Sequence, residues 1–267
     1  NSVLRSCRCD DKILKNHEQN LMVLSLNQYS QGSSMRKAHI VYAHPEPQSF
    51  VASMRKTVEV SLSSSGWQTT VTDLQQSKFN PIVSDSDFND RLRHDYLVYA
   101  KEQRHAWATE TIAPEIAKEV RSLLAADLLV LVFPIYWFSV PAQMKGWIDR
   151  VMLSGTFYGG REIYEKGGMR GKKALVVASL GGREHMFGKA AIHGELKDML
   201  RHLLQGTLGY VGYSVLDPYF AYHVPYVDDS VREGMLQDLS ELTLNIDTRS
   251  IVEMPSLDKF DAQFRPI

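Results

Sequence analysis

The chain has 267 residues, of which 44% are hydrophobic and 23% charged, and its 30 basic and 31 acidic residues leave a net charge of -1. Such a composition can form a large core, which excludes the disordered, collagen-like and low-complexity classes. The balanced charge predicts no nucleic-acid partner and no anionic membrane surface as a partner.

The cysteines and the apolar runs point to a cytoplasmic location. Cys7 and Cys9 are the only cysteines, too few for a disulfide framework. The longest apolar run, 128–138, contains Pro134 and is shorter than the roughly 20 residues of a membrane-spanning helix. We therefore expect no membrane insertion.

Residues 1–34 differ from the rest of the chain. They mix Asn, Gln, Ser and scattered charges without sustained periodicity. We expect a flexible extension or a leader there, outside the fold. Residues 35–267 are then one domain with a short C-terminal tail.

From residue 38 onward, strand-like and helix-like patterns alternate. The predicted strands are 38–43, 67–74, 128–133, 174–179 and 211–216. The predicted helices lie near 50–62, 114–124, 141–151, 193–203 and 231–244, whereas 75–112 carries few regular signals. This alternation predicts an α/β fold, a doubly wound five-stranded parallel sheet with helices on both faces. Ligands of such sheets bind beyond the carboxyl ends of the strands, which selects loops 44–50, 134–140 and 181–193.

The first loop precedes a helix N-terminus, where free backbone N–H groups favour a phosphate. His44 and Ser49 are candidate additional donors. The loop has neither the phosphate-loop pattern of nucleoside triphosphatases nor the G-x-G-x-x-G of dinucleotide folds. The alternative is a helix capped by Ser49 with no ligand.

The second loop places Tyr136, Trp137 and Phe138 in succession at the end of a strand. A planar cofactor could stack against them. The alternative is packing in the core or at a dimer interface, which also explains aromatic clusters.

The third loop begins with Gly181 and Gly182, which let the backbone approach a ligand closely. It ends at His193, a candidate acid or hydrogen-bond donor. Separately, the glycines could be a simple turn and the histidine a surface residue. Phosphate at one loop, a flat ring at the second and close backbone at the third together describe a flavin nucleotide.

Motifs along 36–255 match a known family. They are HIVYAHPE at 39–46 with Ser49 and Phe50, Asp73-Leu74, FPIYWFSVPA at 133–142, KGW at 145–147 with DRV at 149–151, Gly181-Gly182, Met186, IHG at 192–194 and GTL at 206–208. On these residues the chain resembles the NAD(P)H:quinone oxidoreductases, which are flavodoxin-like flavoproteins. The resemblance implies a sheet order of 2-1-3-4-5.

The resemblance also implies a cofactor site. The flavin pyrophosphate would contact His44, Ser49 and Phe50. The isoalloxazine would be lined by Pro134, Ile135, Tyr136, Trp137 and Phe138. Its pyrimidine edge would be held by Ser179, Gly181 and Gly182. The implied cofactor is FAD rather than FMN, with segment 75–122 available to cover an adenine.

The family reaction is a ping-pong transfer in which NADH or NADPH gives a hydride to flavin N5 and a quinone is then reduced to a hydroquinone. The implied substrate pocket contains Trp137, Phe138, Met186, His193 and Tyr210. Tyr158 would enter it from the partner subunit of a homodimer. His193, Tyr158 and Gly182 are the implied catalytic residues.

Several positions depart from the family pattern. Phe187 replaces the tyrosine that partners the active-site histidine, and Val51 replaces an asparagine beside the phosphate. Gly160 replaces a second pocket tyrosine, while Gln205 and Gly209 replace the histidines of a structural metal site. We therefore expect no metal. The rival interpretation is a flavin-binding electron carrier or regulatory subunit, and a non-flavin structural protein is a more distant third.

Overall fold

Parallel strands form a single sheet at the centre of the computed structural model, which describes residues 35–267. The strands are β1 (Lys37–Tyr42), β2 (Gln68–Asp73), β3 (Leu128–Pro134), β4 (Lys173–Ser179), β5 (Ser214–Val215) and β6 (Tyr219–Ala221). Their order is β2-β1-β3-β4-β5, and β6 also pairs with β4. The predicted fold class and strand order are confirmed, while the extension predicted over 1–34 lies outside the described residues.

The fifth position of the sheet holds two short strands instead of one. β5 pairs with the start of β4, at Lys173 and Ala174, and β6 pairs with its last three residues. Pro218 lies between β5 and β6, and a proline has no N–H to donate to the ladder. The strand predicted over 211–216 is therefore confirmed only in its last part and continues after an interruption.

Helices cover both faces of the sheet, as the alternation predicts. They are α1 (Phe50–Ser64), α2 (Tyr99–Ala108), α3 (Pro114–Ala125), α4 (Ala142–Val151) and α5 (Asp229–Leu244). α1 and α5 pack on one face through Met54, Val58 and Leu239. α3 and α4 pack on the other, where β3 is buried along its whole length. Burial on both faces explains why β3 is a continuous apolar run.

Helix α2 lies in the segment that carries few regular signals, and polar contacts hold it. The buried carboxylate of Glu102 accepts hydrogen bonds from the backbone N–H groups of Leu92, at 2.7 Å, and Arg93, at 3.1 Å. Farther along the chain, the Arg150 guanidinium donates to the buried Asp87 carboxylate at 2.6 Å. The Arg150–Asp87 pair ties segment 79–112 to α4, and Phe88 and Ala106 of the same segment are buried in the core.

The helix predicted from His193 begins later and is not continuous. Gly194 has a φ of +73°, which is incompatible with a right-handed helix, and the first helical residue is Leu196. The helical residues form Leu196–Met199, Arg201–Leu203 and a π-helical turn, Leu204–Gly209. The predicted start and continuity of this helix were therefore wrong.

Within residues 35–267, no helix combines the length and the apolar character needed to cross a membrane.

Candidate functional site

The three loops selected from the sequence leave adjacent strands at one edge of the sheet. β1 and β3 stay paired to their carboxyl ends, where the Ala43 N–H donates to the Val132 carbonyl at 3.1 Å. β3 and β4 do the same, with the Ile135 N–H donating to the Ser179 carbonyl at 2.8 Å. Because the strand ends are in register, the loops begin side by side.

The first loop ends at the N-terminus of α1. Ser49 is the buried N-cap, and its Oγ accepts from the Ala52 N–H at 3.2 Å. The N–H groups of Phe50 and Val51 have no intrahelical acceptor by position, so they are available to an anion. The Phe50 ring is buried in the core. Phe50 can therefore offer an anion its backbone N–H but not its ring.

His44 is held by the backbone of Glu46. Its Nδ1 lies 3.0 Å from the Glu46 N and 3.1 Å from the Glu46 carbonyl oxygen, so either tautomer finds a partner there. Burial lowers the pKa of His44, although Glu46 opposes this effect. The ring is therefore neutral at pH 7, and its Nε2 has no hydrogen-bond partner among the described residues.

The second loop is a tight turn over residues 136–139, which we call the aromatic turn. The N–H groups of Tyr136 and Ser139 each donate to the other residue's carbonyl at 3.0 Å. Trp137 and Phe138, the two central residues, have φ values of +51° and +57°. This is a type I′ turn, which normally takes Asn-Gly because both central residues are left-handed. Each aromatic residue costs about 1–2 kcal/mol in that conformation.

The aromatic turn displays its side chains instead of burying them. Trp137 is 95% exposed, and Tyr136 and Phe138 are each exposed by more than two-fifths. Ser139 anchors the turn through a 3.0 Å hydrogen bond between its Oγ and His202 Nε2. Strain of this kind persists where the surrounding structure imposes it, and it clusters at ligand sites.

Phe138, Phe187 and His193 are brought together by the second and third loops. The ring centroids of Phe138 and His193 are 5.3 Å apart, and those of Phe187 and His193 are 5.2 Å apart. Tyr222, just after β6, adds its ring 5.8 Å from Phe187. We call these four residues the aromatic cluster. Burial raises the pKa of Tyr222, so this phenol stays protonated at neutral pH.

The glycine pair of the third loop is held by its carbonyl groups. His223 donates its backbone N–H to the Gly182 carbonyl at 2.8 Å, and its Nδ1 lies 3.0 Å from the Gly181 carbonyl. A Cβ at Gly182 would lie 2.8 Å from the Phe187 ring, so a larger residue there would force this ring to shift. A Cβ at Gly181 would meet nothing closer than 3.7 Å, from Tyr226.

Met186 and His193 occupy one end of the third loop. The His193 N–H donates to the Met186 carbonyl at 3.0 Å, which closes the loop at its base. Among the described residues, no side-chain partner engages the His193 ring nitrogens by hydrogen bond or ion pair, so they are available to a ligand. Ser179, at the end of β4, is buried, as is Pro134, which pairs with it.

Tyr158 and Tyr210 form a separate pair. Their ring centroids are 5.6 Å apart, and Tyr164 adds its ring 5.7 Å from Tyr210. In the part of the chain that the structure describes, no ring contact connects them to the aromatic cluster. Their membership of the substrate pocket, and the entry of Tyr158 into a partner's site, stay predictions.

Sequence reasoning missed Tyr222, His202 and His223. Tyr222 and His223 follow a strand that was itself not predicted, and His202 lies 63 residues from the serine that it contacts. His223 precedes the Val-Pro of a turn and has a left-handed backbone, with a φ of +57°, which the sequence does not reveal.

The position of the family's metal histidines is packed. A Cβ at Gly209 would clash with the thioether of Met254 from the C-terminal tail. Residues 35–267 contain no group of three or more His, Cys, Asp or Glu residues that could hold a metal ion.

Comparison with known proteins gives consistent matches. Residues 36–243 match a protein family described by the flavodoxin-like fold. The chain is 32% identical to NAD(P)H dehydrogenase (quinone) 1 of Cavia porcellus over 87% of this chain and 85% of that protein. It is 34% identical to human ribosyldihydronicotinamide dehydrogenase (quinone) over 77% of this chain and 90% of that protein. A crystal structure from Klebsiella pneumoniae, described as a proposed quinone reductase, is 27% identical with a TM-score of 0.78 and covers 86% of this chain and 90% of its own.

Proposed function

Because the chain belongs to the NAD(P)H:quinone oxidoreductase family of flavodoxin-like proteins, we propose that it is a flavoenzyme that reduces quinones to hydroquinones with NADH or NADPH. The observation that carries the proposal is the aromatic turn. Its two left-handed aromatic residues keep a strained conformation while exposing Trp137 almost completely. A flat apolar ligand explains both features. It would cover the exposed rings, and the stacking energy would offset the cost of the left-handed backbone.

The residues at the sheet edge fit a flavin nucleotide. The free N–H groups at the start of α1 suit its phosphates, and His44 on the same loop leaves its Nε2 available for a further contact. The exposed rings of the aromatic turn suit its apolar ring face. The carbonyls of Gly181 and Gly182 are already engaged, which leaves their N–H groups for the polar ring edge.

When bound, a flavin supplies the hydride chemistry that links nicotinamide to quinone. The chain's own residues position the reactants and handle protons. The proposed role of His193 is to donate a hydrogen bond or a proton to the reacting oxygen, using a ring nitrogen that no protein group engages among residues 35–267. Phe187 packs against His193 but has no hydroxyl, so His193 acts without a tyrosine at that position.

The proposed cofactor is FAD. Segment 79–112 leaves β2 at the same edge of the sheet as the three loops, and Gln143 ties its start to α4 by donating to the carbonyls of Leu74, at 2.7 Å, and Phe79, at 3.3 Å. An ordered segment at this edge of the sheet can cover one face of an adenine. Extraction of the flavin from purified protein, followed by chromatography against FAD and FMN standards, tests this assignment.

The proposal includes a homodimer in the cytoplasm, with Tyr158 of one protomer entering the other's substrate pocket. Exposed apolar side chains near the third loop, Ile192 and Tyr226, are consistent with a covered surface. Sedimentation equilibrium tests the dimer.

The central experiment follows the flavin spectrum under anaerobic conditions. The protein is reconstituted with FAD, mixed with NADH or NADPH, and then mixed with a benzoquinone. We expect bleaching by the nicotinamide and full reoxidation by the quinone. Bleaching without reoxidation would assign a different acceptor, and absence of bleaching would favour a flavin-binding carrier or regulatory subunit. A protein that takes up neither FAD nor FMN would refute both interpretations.

A further inference from the structure

A depression of about 470 Å³ lies between α2 and the chain that follows α4. Its lining includes Arg104, Arg170, Tyr158, Glu162 and four glycines between residues 155 and 168. This volume is within the range of about 300–1,000 Å³ that small-molecule sites occupy. None of the residues proposed to hold the flavin lines it.

The Arg104 side chain packs directly against the backbone of two glycines. A Cβ at Gly155 would come within 2.7 Å of Arg104 Cγ, and one at Gly159 within 3.3 Å of its Nη2. Arg104 Nε donates to the Oγ of the buried Ser154 at 2.9 Å. The guanidinium is therefore held from one side, and among the described residues no protein acceptor engages Nη1 or Nη2.

Arg170 supplies a second cation to the same depression. It is exposed, and no carboxylate within residues 35–267 forms an ion pair with it. By contrast, buried arginines elsewhere are paired, as Arg150 is with Asp87 and Arg232 with Asp229. Glu162 is the one carboxylate side chain in the described lining, so the two guanidinium groups leave an excess of positive charge.

We propose that this depression binds a phosphoryl anion, the group carried by the diphosphate of reduced nicotinamide dinucleotides. A guanidinium whose outer nitrogens are free offers the planar fork that phosphate oxygens match. Gly160 has open space where a Cβ would lie, so the anion can approach the backbone closely there. The assignment to the nicotinamide donor rests on the proposed function, because Tyr158 belongs both to this lining and to the substrate pocket expected in the partner protomer. The anion site itself does not depend on that function.

Calorimetric titration of the flavin-loaded protein with inorganic pyrophosphate tests the anion site. We expect saturable binding that weakens with added salt and becomes about tenfold weaker in Arg104→Ala and in Arg170→Ala, since each removes charge-assisted hydrogen bonds. The matched control is Arg93→Ala, which removes an exposed arginine that is hydrogen-bonded to Asp95 outside the depression. Glu162→Gln should bind pyrophosphate more tightly, an effect that a loss of folding cannot mimic.

Steady-state kinetics distinguishes the two sources of the phosphoryl group. If it belongs to the donor, Arg104→Ala and Arg170→Ala raise the KM for NADH and NADPH about tenfold with kcat retained. The KM for reduced nicotinamide riboside, which has no phosphate, should not change. If the dinucleotide KM values stay constant while pyrophosphate binding weakens, the site takes free phosphate compounds and the donor assignment is wrong.

Two results overturn the anion site: no pyrophosphate binding by the unsubstituted protein, or equal binding by the unsubstituted protein and both arginine variants. Pyrophosphate binding in a protein that oxidises no nicotinamide would refute the proposed function and leave the anion site supported.

Discussion

Replacement of Trp137 by asparagine separates the folding cost of the aromatic turn from its value for ligand binding. Trp137 is the first central residue of a type I′ turn, with a φ of +51°, and it is 95% exposed. The substitution therefore removes almost no packing. Asparagine is a favoured residue at this position, so Trp137→Asn should recover about 1 kcal/mol of the left-handed strain. For a chain of this size, that gain raises Tm by about 2–4 °C.

The same substitution should weaken flavin binding. It removes an indole face that would otherwise be buried against the ring, a contribution of about 0.5–1.5 kcal/mol beyond the area effect. We expect the Kd for FAD to rise about tenfold, which corresponds to about 1.4 kcal/mol. Thermal unfolding of the flavin-free protein measures the first effect without ligand linkage, and fluorescence titration with FAD measures the second.

Lys78 provides the matched control. It is also left-handed, with a φ of +53°, and exposed, but it lies on the turn that follows β2. Lys78→Asn should give a similar rise in Tm. Because Lys78 lies in the segment expected to cover an adenine, the two variants are compared with FMN, whose Kd should be unchanged in Lys78→Asn and raised in Trp137→Asn. The reasoning is refuted if Trp137→Asn lowers the Tm of the flavin-free protein, or if both variants bind FMN equally well.

Three further predictions concern single side chains. Phe187→Tyr should speed flavin reduction in stopped-flow experiments, because the Phe187 ring packs against both Gly182 and His193 and a phenol at that position adds a hydrogen-bond donor for the negative charge of the reduced flavin; an unchanged rate would count against this role. Gly182→Ala should destabilise the flavin-free protein by about 1–3 kcal/mol through its clash with Phe187, whereas Gly181→Ala should leave denaturant stability nearly unchanged. Burial tends to raise the pKa of Glu119, but the His39 ring, 3.5 Å from the carboxylate, and hydrogen bonds from Trp147 and Thr72 outweigh it and hold the pKa below the ordinary 4.5. The ionised Glu119 therefore stabilises the fold above that pH, and this stabilisation is lost as the pH falls through the lowered pKa. In urea titrations at several pH values, Glu119→Gln should lose less unfolding free energy on acidification than the unsubstituted protein. An equal loss in both would contradict the assignment.

The sequence predicts those parts of the fold that depend on local apolar pattern. β1, β3 and β4 are recognisable because strands buried on both faces must be apolar at nearly every position. Helix α2 escapes the same reasoning because the Glu102 carboxylate and the Arg150–Asp87 ion pair fix its segment. The Glu102 contact spans ten residues and the Arg150–Asp87 contact 63, and neither repeats along the helix, so they leave no periodic signal.

The candidate site also contains residues that the sequence reveals and residues that it does not. Gly181, Gly182 and the aromatic residues of the second loop are visible in the sequence because unusual residue types stand at strand ends. The left-handed geometry of Trp137 is not visible, since residue preference argues against it. His202 and His223 are not visible either, because both act through hydrogen bonds to residues about 40 to 60 positions away.

These long-range bonds give the site its shape before any ligand arrives. The Ser139–His202 bond and the reciprocal Tyr136–Ser139 bonds hold the aromatic turn in a conformation that its side chains disfavour. His223 engages both glycine carbonyls on the opposite loop. Since both walls are fixed by protein groups, binding a flat ring requires little ordering of the chain. Affinity then depends on the contacts themselves, because the cost of organising the loops is met during folding.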